Sequence, residues 1–361
     1  MTKHWGCKFG SILLVLSLLS GCSAMLSRSY SSITPHNATP TALDDANTLR
    51  VDSYQELVNA LIYLIDKGAE TGIIRFDRTT ESEAKSMLSD ACLEVVKEDP
   101  LGAYAVEFIK YSLTPIVANY EADVQITYRR TREQVAAVVD ATGTSAIRSE
   151  LQETLSTFSS EVAMRISYFE GDSASIQTLV RQAYFANPDC ALGLPDATVS
   201  MYPETGQRRI VEVQLTYPYS FQTLEERHTA LNKKAAQLTL PIQEKTPEKQ
   251  ISSIVEIILS TCQTQTQDAS TAYDVLFEGE GNDQGLSLTF SLLCKQIGLD
   301  CLIVDGSFNE TPHIWNIVKT SQGYRHIDLT AEKPTLLFLD VDAEASGYQW
   351  DKELSPSCIA S

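Results

Sequence analysis

Apolar residues recur along the chain at two spacings, and the change from one to the other marks the elements. YQELVNALIYLIDK (54–67) repeats apolar positions every three or four residues, the period of a helix with one buried face. GIIRFDR (72–78) opens on a glycine and reads as a strand. A helical run from Glu81 to Lys97 follows, then two strand segments, YAVEFIKYSL and ADVQITY. The same succession returns as VAMRISYF (162–169), a helical run from Ser173 to Phe185, ATVSMY, a PETG turn and RRIVEVQLTY. VQITY at 124–128 and VQLTY at 213–217 stand 89 residues apart. TREQVAAVVDA closes the first copy as a helix and TLEERHTALNKKAAQL the second. The pattern predicts a β-α-β-β-α unit present twice between Asp52 and Leu238, each copy burying one sheet face under helices. Helix 54–67 leads into the first copy and LQETLSTFSSE into the second. PIQEKTPEKQ (241–250) is a polar, proline-marked boundary. Beyond it ISSIVEIILSTC and DASTAYDVLFEG read as helices, and LSLTFSLLCKQIG is a third with Leu286, Phe290 and Leu293 on one face. Strands CLIVDG, HIWNIV and YRHIDLT complete an α+β chain whose last domain follows duplicated β-α-β-β-α modules.

The first residues carry a different pattern. Lys3 and Lys8 precede an apolar core, SILLVLSLL (11–19), which ends in LSGC at Cys22. Nine residues make about 14 Å of helix, against a bilayer hydrocarbon core of about 30 Å. The segment therefore reads as an export signal, not a permanent span. Its ending resembles the bacterial lipoprotein signal, which implies that Cys22 is lipidated and becomes the first residue of the mature chain. Ser23 to Asn47, rich in Ser, Thr, Ala and Pro, reads as an extended tether. The predicted organisation is a signal (1–21), a tether (22–50), α/β modules at 51–150 and 151–240, and a C-terminal domain at 250–361. The expected location is the extracytoplasmic face of the cell membrane, held by lipid on Cys22.

Composition narrows the partners. Forty-seven acidic residues against 28 Lys plus Arg give a formal charge of −19, and losing Lys3 and Lys8 with the signal takes this to about −21. Such a surface argues against nucleic acid and against a polybasic grip on anionic lipid. Six cysteines lie beyond Cys22, at 92, 190, 262, 294, 301 and 358. They form no CxxC pair, so no metal-type cysteine cluster is expected, while disulfides are permitted outside the cell. His228, on a charged helix beside Glu226 and Arg227, reads as a residue of a solvated face.

The candidate chemistry lies between Tyr273 and Thr330. A glycine-punctuated turn, GEGNDQG, delivers a polar residue to a helix start, and His313 and Asp328 lie on later strands. That is the layout of a thiol acyl-transfer site, with a turn nucleophile, a histidine base and an orienting aspartate. VLFEGEGNDQGLS, IGLDCLIVDG, HIWN and YRHIDLT, in that order, resemble the transglutaminase-like superfamily in its bacterial transglutaminase/protease-like branch, with a papain-type fold. The resemblance runs from Ile251 to the C-terminus, where GYQWDKELSPSC also looks like the end of secreted members, and it does not reach the duplicated part. It places the family's base on His313 and its orienting aspartate on Asp328. The nucleophilic cysteine falls on Asp283 and the residue before it on Asn282. Trp315 and Asn316 read as strand-level support, and His326 as a neighbour of the site.

A carboxylate at the helix start keeps the negative charge but has little power to attack an amide carbonyl, and it would leave an unstable mixed anhydride. Asp also caps helices, so Asn282 and Asp283 together read as a capping turn. Cys294, eleven residues on, is about 16 Å away along the helix and cannot take over the role. The expectation is a non-catalytic, surface-anchored lipoprotein whose last domain binds a peptide, glycan or envelope protein, with no cofactor and no metal. Two other readings stay open: a cysteine-independent hydrolase using Asp283 and His313, and a structural envelope protein whose duplicated modules do the recognition.

Overall fold

The computed structural model describes residues 48–77, 79–117, 119–330 and 335–360. The signal, Cys22 and the tether up to residue 47 lie outside the described residues. Contacts divide the chain into two compact units, one through Cys92 with Tyr111–Gln125, the other Leu93–Lys110 with everything from Ile126 onward.

The first sheet uses β1 (Thr48–Val51), β2 (Thr71–Phe76), β3 (Val106–Ile116) and β4 (Asn119–Tyr128), in the order β1-β2-β4-β3. Helix α1 (Tyr54–Asp66) crosses between the parallel strands β1 and β2. Ser53 caps it by accepting from the Glu56 amide, and the Glu56 carboxylate reaches back to the Asp52 amide, so two orphan donors are satisfied at once. Helices α2 (Glu81–Lys97) and α3 (Pro100–Ala105) follow β2. Residues 48–50, expected in the tether, are part of β1 and pair with Ile73–Arg75.

The second sheet repeats this order as β5-β6-β8-β7, from β5 (Val139–Thr142), β6 (Glu161–Ser167), β7 (Asp196–Tyr202) and β8 (Arg208–Thr216). Helices α5 (Gly143–Ser156) and α6 (Ser173–Ala186) stand where α1 and α2 do in the first copy. The registers correspond: Gly72 faces Val124 in one sheet, and Val162 faces Val213 in the other. The predicted β-α-β-β-α succession is present in both copies, and each is preceded by a short strand and a helix that add a fourth strand to its sheet. Each opening strand has only four residues, too few for an alternation to show. TREQVAAVVDA is not one helix: α4 (Arg132–Ala136) ends early, and Val139–Ala141 belong to β5. The second copy thus opens at Val139, ahead of the expected residue 151.

One face of the second sheet is buried under α5 and α6 through Ile147, Leu151, Ile176 and Val180. Helix α3 packs on β7 and β8 at the other face. There the Tyr104 ring meets Tyr202 edge-on, and Arg130 bonds the buried Glu212 at 2.7 Å. The core continues without a break from this sheet into the C-terminal region, from Ala141 to Leu329.

Helix α7 (Phe221–Thr239) ends the second copy, and beyond Leu240 come α8 (Pro247–Thr261) and α9 (Asp283–Gln296). The predicted helix DASTAYDVLFEG is only a π-helical turn, Asp274–Glu278, closed by Gly279 at φ +75°. A third sheet has the order β12-β11-β10-β9-β13, from β9 (Cys301–Phe308), β10 (Thr311–Thr320), β11 (Gly323–Asp328), β12 (Thr335–Phe338) and β13 (Tyr348–Gln349). Between the last two strands lies α10 (Asp340–Ser346). Helix α9 is buried on every face from Gly285 to Cys294, beyond the single stripe its periodicity suggested. Helices α7 and α8 pack on one side of it and strands β9 and β10 on the other, so even Ser287, Thr289 and Ser291 are enclosed. The opposite face of the sheet carries a second cluster around Trp315, Ile317, Phe338 and Tyr348. The fold is α+β.

Candidate functional site

Asn282, not Asp283, caps helix α9. Its side chain accepts from the Gly285 amide at 2.9 Å, and Asp283 is the first helical residue. The Asp283 carboxylate bridges its own helix and β10. Oδ2 lies 3.0 Å from His313 Nδ1 and accepts from the Ile314 amide at 3.0 Å, while Oδ1 accepts from the Gln284 amide at 2.8 Å. A negative group suits this position, because the helix N-terminus carries partial positive charge.

His313 and Trp315 alternate with Ile314 on β10 and so project to the opposite face from it. Trp315 and Ile314 accordingly belong to the two different clusters that sandwich the sheet. Asp283 reaches the imidazole from the helix side, and Asp328 reaches it from β11. His313 Nε2 is 2.8 Å from Asp328 Oδ2, which also accepts from the Tyr348 hydroxyl at 2.7 Å. Asp328 Oδ1 takes the Thr330 amide at 2.9 Å and the Thr330 hydroxyl at 2.6 Å. Trp315 is fully buried and lies nearly parallel to the imidazole, with ring centroids 5.9 Å apart.

These contacts decide the protonation. Burial disfavours the imidazolium, but hydrogen bonds and attraction from Asp283 and Asp328 outweigh it and raise the His313 pKa to about 9. Both carboxylates are pushed up by burial and pulled down further by their donors, His313 foremost, so each sits below the ordinary range. At neutral pH the site is an aspartate–imidazolium–aspartate array with a net charge of −1. The His313 side chain keeps 15% of its surface exposed and Asp283 25%, against 4% for Asp328, so the array opens to solvent on the Asp283 side.

Asn316 lies on the helix side and donates to the Ser287 carbonyl at 3.1 Å, fastening β10 to α9. His326 is fully buried; it accepts from Trp315 Nε1 at 3.0 Å and bonds Asp340 at 2.8 Å, and so fixes the ring that backs His313. Tyr348 and Thr330 were not singled out from the sequence, although Thr330 lies inside YRHIDLT and Tyr348 inside GYQW. The D-x-T spacing could have found Thr330, since Asp side chains commonly bond the backbone two residues on, whereas nothing local marks Tyr348 as a partner of Asp328. Cys294 is enclosed in the core and burial raises its pKa well above the usual thiol value, so it is no substitute nucleophile.

Arg181 on α6 bonds Asp305 on β9, which pairs with Ile314, the residue whose amide holds Asp283. The second copy thus supplies a side chain to the neighbourhood of the array.

No family model matches the sequence, and no curated protein matches it either. Two solved structures are similar. One is a TGase, at a TM-score of 0.24 and 13% identity, covering 58% of this chain and 61% of the other. The second is a candidate protease from Parabacteroides distasonis, at a TM-score of 0.24 and 10% identity, covering 73% of this chain and 40% of that one. The chain spans less than two thirds of the length of either structure.

Proposed function

We propose that residues 250–361 are a transglutaminase-like domain that keeps the layout of a thiol acyl-transfer site without its chemistry. It serves as a binding domain for a peptide, glycan or protein partner at the cell envelope, anchored by lipid on Cys22. The observation that carries the reading is an imidazole with a carboxylate on each nitrogen. An imidazolium donating at both ends has no lone pair with which to take a proton, so the residue in the position of the base is disabled as well. Asp283 is engaged by three donors, which suits a structural anion better than an attacking group. Export and lipidation are supported by the LSGC ending and the tether that follows it.

The native chain should turn over no peptide, amide or acyl donor. In Asp283→Cys the new thiol would sit at a helix N-terminus beside His313, with Asp328 behind the ring, the surroundings that stabilise a thiolate. Its reaction with iodoacetamide should be faster than that of a surface cysteine and should slow when His313→Ala is added. Turnover by the native chain that His313→Ala abolishes would replace this reading with a hydrolase. An Asp283→Cys thiol that does not react would mean that the layout is not that of a thiol site.

A further inference from the structure

Outside the His313 array, two clusters of metal-ligating side chains stand out among the described residues, and their hydrogen bonding separates them. In the first, His326, Asp340 and Cys358 are already saturated. His326 Nδ1 accepts from Trp315, Nε2 bonds Asp340 Oδ1, and Asp340 Oδ2 accepts from the Cys358 amide at 3.1 Å. No imidazole lone pair remains for a metal, and the group is a hydrogen-bonded prop.

The second cluster lies where the turn after α6 meets α7. Donor atoms of Asp189, Cys190 and His228 all fall within 4.8 Å of one another, and all three residues are half-buried. His228, expected on a solvated face, has 30% of its side chain exposed and packs edge-on to Phe158. Its Nε2 lies 3.7 Å from Asp189 Oδ2, too far for a hydrogen bond. Ligands of a tetrahedral zinc, with bonds of about 2.0–2.3 Å, stand about 3.3–3.8 Å apart. Among the described residues no hydrogen bond holds the His228 ring, and the Cys190 thiol has only a weak contact with the Ser156 carbonyl at 3.7 Å. Lys295 bonds Asp189 Oδ1 at 2.7 Å, which orients the carboxylate and leaves Oδ2 towards His228. The Lys295 side chain is 54% exposed, free to swing into solvent.

We propose that Asp189, Cys190 and His228 form a zinc site whose fourth position is left to solvent. The Cys190 thiol binds metal by exchanging its proton. The thiol S–H bond breaks, the zinc–sulfur bond forms, and one proton leaves to solvent. The ion would clamp the turn after α6 to α7 beside Lys295 of α9, bracing the scaffold that carries Asp283. The site is independent of the proposed function.

The test uses the full chain, stripped with a chelator and titrated with zinc against a competing chromophoric chelator. One zinc per chain and a raised melting temperature are expected. Cobalt(II) in its place should show a thiolate-to-cobalt charge-transfer band. Cys190→Ser and His228→Ala should each weaken zinc binding by more than about tenfold, and Cys190→Ser should remove the band, whereas Cys358→Ser should alter neither. A band that survives Cys190→Ser overturns the assignment, and its loss in Cys358→Ser would move the metal to the buried cluster. Failure of the native chain to take up zinc while its circular dichroism shows it folded overturns the proposal outright.

Discussion

With an acceptor at each nitrogen, the His313 ring should behave as a permanent cation over the physiological range. Its imidazole resonances should titrate near pH 9, against an ordinary histidine value of 6.5. Asp328→Asn should move the midpoint back towards that value, and a native midpoint near 6.5 would show that the carboxylates do not act on it. Stability follows by linkage. A raised histidine pKa stabilises the fold fully below about 6.5, and that contribution is lost as pH climbs through about 9. The two depressed carboxylates contribute above their ordinary values and lose it as pH falls through the depressed ones. Native chain and His313→Gln should therefore differ most in melting temperature between about pH 5 and 7, and the difference should shrink towards pH 10. A difference that does not change with pH would remove electrostatics as its source.

At the scale of elements, the array is where α9 is fastened to β10, and the two residues of the turn divide the work. Asn282 satisfies a helix amide, and Asn282→Ala should cost about 1 kcal/mol, the usual loss of a cap. Asp283 satisfies the Ile314 amide in the strand, so Asp283→Ala leaves a strand donor and an imidazolium without their acceptor. Its cost should be about 1–3 kcal/mol, with Asp283→Asn milder because an amide oxygen still accepts. Denaturant unfolding of the three variants checks the order; an Asp283→Asn loss equal to that of Asp283→Ala would contradict the acceptor role. Gly306, the last residue of the CLIVDG segment, sits where no side chain fits. A Cβ there would lie 2.3 Å from the Gln349 carbonyl and 2.7 Å from the Trp315 ring. Gly306→Ala should therefore shift Trp315, and a change in near-ultraviolet circular dichroism would report it.

For the molecule as a whole, the second copy and the C-terminal region share one core, so the copy is scaffold as much as spacer. Arg181 bonds Asp305 and Lys295 bonds Asp189 across that junction. Deeper in the second sheet, Arg130 is the ionic partner of a Glu212 carboxylate whose side chain is only 5% exposed. Removing the cation strands a buried charge, so Arg130→Met should destabilise by about 3 kcal/mol, and adding Glu212→Gln should recover part of the loss. Additive losses in the double variant would show that the two residues do not act as a pair. At the N-terminus, Cys22→Ser should release the chain from membranes or leave it unprocessed, and unchanged membrane retention would refute the anchor.

Periodicity was enough to place the long helices, the duplication and the strands of VQITY and VQLTY, because a buried face repeats along the chain itself. Residue type and order were enough to bring Asp283, His313 and Asp328 forward, since each stands inside a short motif written locally in the sequence. Strands of four residues, Thr48–Val51 and Val139–Thr142, carried too short a pattern to be seen and exist because a neighbouring strand supplies their hydrogen bonds. That the Asp283 carboxylate also holds β10 depended on an amide 31 residues away. Tyr348 on Asp328, and the meeting of Cys190 with His228, come from separate segments that the backbone path brings together. Such convergence has no period and no motif. Its energy lies in pairings between positions far apart in sequence, which only the packed chain brings together.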